Sequence, residues 1–214
     1  MNCSLYTGKK VSVLILNNCF NTYRMGNITR ADRPALLLVD IQKGFDDINY
    51  WGGERNNPDA EENASTLLHL WRAHRLPIFH IKHCSSNTRS LLHETNPGNE
   101  FKDLVKPCNN EAVIKKNVNS AFIGTDLKMR LQQLVITKLV IVGLTTDHCI
   151  STTARMAANL GFDTFIVSDA TATFNKKGLD GKNYRAKLIH ATALASLSNE
   201  FATIVSTAFL KHHI

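Results

Sequence analysis

The strongest constraint on the fold is the stretch Leu139 to Phe174, LVIVGLTTDHCISTTARMAANLGFDTFIVSDATATF. Its first apolar run, Leu139 to Val142, is short and β-branched, which predicts a strand buried on both faces. Gly143 and the polar turn Thr145-Thr146-Asp147 follow. Helical spacing then carries Ile150, Ala154, Ala157, Ala158 and Leu160 until Gly161 ends the helix. A second buried strand, Thr164 to Val167, comes next. A strand that feeds a helix through a tight turn lifts one side chain above the sheet and aims backbone N–H groups at it. Cys149 occupies that seam, either as a nucleophile or as buried packing, since free cysteine is among the most buried residue types.

The same alternation recurs along the chain. Ala35 to Val39 is an apolar run ending in Asp40, and Asn57-Pro58 with Asp59, Glu61 and Glu62 reads as a helix start, Asn57 capping. Leu67, Leu68 and Trp71 mark the apolar face of that helix, and Ile78 to Ile81 the next strand. Glu111 to Ile114 is a short strand leading into Lys115-Lys116, one of which should point inward and the other to solvent. Thr125 caps a helix through Gln133, Tyr184 to Ser198 has helical spacing, and Phe201 to Val205 is a last strand. Together these predict an α/β fold of three layers, a mostly parallel six-stranded sheet flanked by helices on both faces. Between Ser86 and Asn110 the chain is rich in Asn, Ser, Pro and Gly. It reads as a long surface excursion of the kind used for lids or subunit contacts.

Regularity begins at Pro34, so residues 34–214 form the expected domain and residues 1–33 a peripheral N-terminal extension. Lys9, Lys10 and Arg24 make the first 24 residues basic and free of acids. That segment is a targeting sequence, or precedes a true start at Met25, or simply contributes little to function. Five cysteines without a C-x-x-C pair suggest reduced thiols and a cytoplasmic protein. No apolar run reaches the ~18 residues of a membrane span, so no membrane association is expected. The net charge of +7 is scattered, without basic–aromatic alternation, and predicts no nucleic-acid partner.

Three reactive side chains share one topological address. Asp40, Lys116 and Cys149 each stand at or just beyond the carboxyl end of a predicted strand, where open α/β sheets bind ligands. Their chemistry is complementary. A thiolate attacks, a lysine cation favours its formation, and a carboxylate can take the thiol proton and return one to a leaving group. The turn before Cys149, with the Cys149 N–H, could hold an oxyanion. Phe45, Trp51 and Phe122 are candidate walls of a small pocket, or core packing. His80 and His83 share neither a helix face nor a strand face, and neither is expected to bind a metal.

The segments LLLVDIQKGF, VIKKNVNSAFIGTDL and VIVGLTTDHCISTTARMAANLGF carry Asp40, Lys116 and Cys149 in order. Together they resemble the isochorismatase-like cysteine hydrolases, a superfamily of nicotinamidases, N-carbamoylsarcosine amidohydrolases and isochorismatases, over about residues 34 to 208. The resemblance implies an Asp40–Lys116–Cys149 triad, with Lys115 outside the site. It also implies a cis peptide between Leu144 and Thr145 that makes the Thr145 N–H an oxyanion donor beside that of Cys149. Nicotinamidases of the superfamily bear an Asp-x-His metal motif where this chain reads NYWGGERNNPDAEEN. Neither nicotinamide nor a bound zinc or iron is therefore expected, and no cofactor. Isochorismatases proper cleave a vinyl ether and need no cysteine, whereas Cys149 is present here. The expected reaction is hydrolysis of a small amide or ureide C–N bond through a thioester on Cys149. The alternatives are vinyl-ether C–O hydrolysis and a catalytically idle assembly protein. The expected partners are a small-molecule substrate and further copies of the chain.

Overall fold

The computed structural model describes residues 27–214. The expectations for residues 1–24 and Met25 fall outside them. Six strands, β1 (Ala35–Val39), β2 (Ile78–His83), β3 (Ala112–Lys116), β4 (Lys138–Leu144), β5 (Asp163–Ala172) and, last in the chain, β8 (Thr203–Val205), form one sheet in the order β3-β2-β1-β4-β5-β8. Every neighbouring pair is parallel. A two-stranded antiparallel hairpin, β6 (Lys176–Lys177) with β7 (Asn183–Tyr184), stands apart from the sheet.

Both faces of the sheet are covered, which is why its strands read as continuous apolar runs. In β1, Leu36 and Leu38 face one core, shared with Trp71 of α2 (Ala60–Ala73) and Leu210 of α6 (Thr207–His213). Ala35, Leu37 and Val39 face the other, shared with Leu127 of α3 (Leu127–Gln133), Ala154 of α4 (Ser151–Asn159) and Leu197 of α5 (Ala186–Leu197). A four-residue helix, α1 (Ile48–Trp51), lies in the loop after β1. No helix among the described residues is long and apolar enough to cross a membrane.

Two local expectations need correction. Asn57 does not cap α2. It sits in the left-handed region at φ 44°, and its amide donates to the carbonyls of Ser168 and Thr171 at 2.8 Å each, tying the turn to β5. An Asn-Pro pair suits such a turn as well as it suits a cap. The packed chain also begins before Pro34, because Ile28 is fully buried in the Trp71 core and Lys138 pairs with Asp32 at 3.0 Å. A segment that short shows no hydrophobic period.

Glu111, just ahead of β3, accepts hydrogen bonds from Arg72 Nε (2.7 Å) and Nη2 (2.8 Å), from His80 Nε2 (2.8 Å) and from the Cys108 N–H (2.9 Å). Burial pushes its carboxyl upward, but these donors win and hold it at about 2, down from 4.5. A carboxylate lowered in this way stabilises the fold above its unfolded value, and that stability is lost as pH falls from 4.5 towards 2. The full shift would be worth somewhat over ~3 kcal/mol, and solvent screening of this partly exposed group reduces it to on the order of 2–3 kcal/mol. Urea unfolding of wild type and Glu111→Gln should therefore differ by that amount at pH 7 and by much less near pH 3. An equal difference at both pH values would show that the carboxylate's charge is not what matters.

Candidate active site

The order of the sheet decides which side chains meet. Asp40 follows β1, and β4, whose exit carries Cys149, is its neighbour on one side. On the other side β2 and then β3 end at His83 and Lys116, which are register partners. Asp40 is fully buried and adopts φ 54°, turning the chain off the sheet. Its N–H donates to the Ile81 carbonyl at 2.9 Å, which anchors it at the edge. As expected of adjacent strand residues, Lys115 points outward to pair with Glu94, while Lys116 is buried.

The buried ammonium of Lys116 organises the site. It donates to Asp40 Oδ2 at 2.6 Å, to His83 Nδ1 at 2.9 Å and to Cys149 Sγ at 3.3 Å. Burial disfavours its charge, but the carboxylate and the sulfur more than compensate and raise its pKa. The Cys149 thiol is pushed up by burial first and by the Asp40 carboxylate second, with Lys116 opposing both. Cys149 therefore rests as the protonated thiol, with the Lys116 ammonium turned towards the Asp40 carboxylate. Burial and the Lys116 cation lower the pKa of His83, with Asp40 opposing, so the ring is the neutral acceptor that its contact to Lys116 requires.

Cys149 stands in a wide π turn, Thr146–Ile150, that passes directly into α4. Such turns recur at functional sites because they re-aim a side chain within an otherwise regular helix. The peptide between Leu144 and Thr145 is cis, and the Thr145 carbonyl accepts from the His148 and Ile150 N–H groups at 3.1 and 3.2 Å.

Above these groups lies a pocket of about 260 Å³, lined by Asp40, His83, Thr145 and Cys149 among others. Lys116 does not line it and reaches the sulfur from behind. Phe45, Tyr50 and Trp51 form an aromatic wall, with Phe45 and Trp51 centroids 4.6 Å apart and the indole N–H held by the Gly44 carbonyl at 2.7 Å. Ser85, Asn87, Ser90 and Leu92 supply another wall, so part of the long excursion after β2 is packed into the site. Asn119, His148 and Lys176 complete the lining. Of the two readings open for Phe122, pocket wall or core packing, the structure shows core packing, 8% exposed and stacked on Phe162 at 5.9 Å. His80 lies away from the pocket on the Glu111 network.

Asp40, His83 and Cys149 each offer a ligand atom, all within 4.8 Å of one another. That set does not suit a metal ion as it stands, because the Lys116 ammonium is hydrogen-bonded to all three and holds the cation's place. Several lining residues were not legible in the sequence, among them His83, Asn119 and Lys176. His83 shares the strand-end address of Asp40 and Lys116, and a strand drawn two residues past Ile81 would have found it. Asn119, whose Oδ1 lies 3.8 Å from Cys149 Sγ, and Lys176 sit on loops that leave no periodic signal.

Residues 34–209 match the family model of the isochorismatase domain. The chain belongs to the isochorismatase family. The isochorismatase family protein YrdC of Bacillus subtilis is 48% identical over 187 residues, spanning 85% of this chain and 99% of that one. A crystal structure of an isochorismatase-family protein from Chromobacterium violaceum superposes with a TM-score of 0.82 at 40% identity, covering 85% of this chain and 93% of the other. Nicotinamidase 3 of Arabidopsis thaliana is 26% identical over 193 residues, or 84% and 88% of the two chains. Family membership and fold together make this protein a hydrolase of the isochorismatase family.

Proposed function

We propose that this hydrolase cleaves the C–N bond of a small amide or ureide through a covalent thioester on Cys149. The observation that carries the reading is the Lys116 ammonium, which touches both Asp40 Oδ2 and Cys149 Sγ beneath a pocket sized for a small molecule. In this reading Asp40 is the general base. As the sulfur attacks the carbonyl carbon, an S–C bond forms and the thiol proton passes to Asp40. The tetrahedral oxyanion is held by the Thr145 and Cys149 backbone N–H groups. Collapse breaks the C–N bond, and Asp40 returns the proton to the departing nitrogen. Water, deprotonated by Asp40, then adds to the thioester, and loss of sulfur restores the thiol. A thiol that burial and Asp40 keep protonated at rest suits this order of events, since proton transfer and attack go together.

The relative named for an amide, nicotinamide, supports C–N over C–O hydrolysis. Nicotinamide itself is disfavoured by the absence of an Asp-x-His pair in the loop after β1. A panel of small amides, ureides and isochorismate, assayed for ammonia and for pyruvate, identifies the substrate class. Ammonia release should then fall to background in Cys149→Ala. Pyruvate release that survives Cys149→Ala but not Asp40→Ala would replace this reading with vinyl-ether hydrolysis by the carboxylate alone.

A further inference from the structure

The Lys116 ammonium has three hydrogens, and the site presents three acceptors. Asp40 and Cys149 take two. The third goes to His83 Nδ1 at 2.9 Å, a ring that belongs to neither the carboxylate nor the thiol of the proposed reaction. The position of His83 is secured independently of that contact. Its N–H donates to Gln42 Oε1 at 2.9 Å, and its carbonyl accepts from Gln42 Nε2 at 3.0 Å and Asn99 Nδ2 at 2.8 Å. Register with Lys116 across β2 and β3 places the ring beside the lysine stem.

We infer that His83 is a positioning residue, whose neutral Nδ1 holds the third hydrogen of the Lys116 ammonium and so fixes Nζ against Cys149 Sγ. The inference rests on the reading of Cys149 as nucleophile and Lys116 as its electrostatic partner. At 3.3 Å the sulfur contact is the longest of the three, and a donor freed of one partner has room to leave it first. The charged groups facing the ring are Lys116 on β3, Asp40 after β1 and Cys149 after β4, with Asp40 Oδ2 4.0 Å from Nδ1. Gln42 and Asn99, which hold its backbone, carry no charge. A buried ammonium without its third acceptor would turn towards Asp40 or water, and the thiolate would lose part of the cation that touches it.

The test is the pH dependence of Cys149 alkylation by iodoacetamide in the full-length protein, followed on the Cys149 peptide by mass spectrometry. In His83→Leu the profile should move up by about one pH unit, a roughly tenfold slower reaction at a fixed pH below the midpoint. His83→Asn, whose Oδ1 is attached like Nδ1 and accepts in its place, should stay within about threefold of wild type. A merely structural histidine would affect both variants through stability without separating their profiles. If His83→Leu does not fold, the Asn arm still decides, because a folded His83→Asn more than about tenfold slower than wild type overturns the inference. A His83→Leu profile that superimposes on wild type, while Cys149→Ala lacks turnover, overturns it alone. Turnover that survives Cys149→Ala overturns it together with the proposed function.

Discussion

Asp40→Asn should lower turnover by ~10²–10⁴-fold and at the same time make Cys149 more reactive towards iodoacetamide at neutral pH. The two effects run in opposite directions because the carboxylate has two opposing influences on the sulfur. As a base and acid it moves the proton at each step of the proposed reaction, a role worth ~10²–10⁴-fold in typical enzymes. As a buried anion beside the sulfur it opposes the thiolate, adding to the burial that already pushes the thiol up. The amide removes both influences while keeping the shape. The Lys116 ammonium, bonded to Asp40 Oδ2 at 2.6 Å, then has the thiolate as its remaining anionic partner. Alkylation should quicken by about tenfold or more, a shift of at least one pH unit.

A simpler role for Asp40 predicts something else. If the carboxylate only anchored Lys116, its loss would let the ammonium move or lose its proton, and alkylation would slow in step with turnover. Slower alkylation in a folded Asp40→Asn protein would therefore show that what the carboxylate does for the sulfur, by anchoring Lys116 or taking the thiol proton, outweighs its opposition to the thiolate. The alkylation half of the experiment needs no substrate, so it can be read before the acyl group is known.

The parts of this site that could be read from the sequence have a common cause. Asp40, Lys116 and Cys149 each follow an apolar run that only a buried strand explains, and a parallel sheet brings strand ends to one edge. The topology therefore gathers them however far apart they lie in the chain. His83 obeys the same rule, but Lys82-His83 is polar, so the apolar run that marks the strand stops at Ile81. The true end lies where β2 pairs with the equally polar end of β3. Phe122 could not be assigned to wall or core from the sequence for a different reason. Its nearness in sequence to Lys116 says nothing about direction, and the ring turns away to stack on Phe162. Asn119 and Lys176 reach the pocket from loops whose paths are set by tertiary packing, and no local pattern encodes that.

Gly143→Ala should be among the most damaging single substitutions in the protein, costing more than about 4 kcal/mol or abolishing soluble expression. Gly143 pairs with Val39 at the last rung between β1 and β4 and has φ 120°. A Cβ there would stand 1.9 Å from the Val39 carbonyl oxygen and 2.8 Å from its carbonyl carbon. Neither atom belongs to a flexible side chain that could swing aside, so the two strands themselves must separate. That seam lies one residue before Asp40, so a separation large enough to admit a methyl group would also pull Asp40 away from Lys116 and Cys149. Gly124→Ala is the matched control. Its φ is 70°, and a Cβ there meets nothing within 4 Å, so it isolates the backbone penalty of about 1 kcal/mol. Urea midpoints of the two variants decide the matter. A Gly143→Ala protein no less stable than Gly124→Ala would mean that the close approach of β4 to the Val39 carbonyl does not constrain the site.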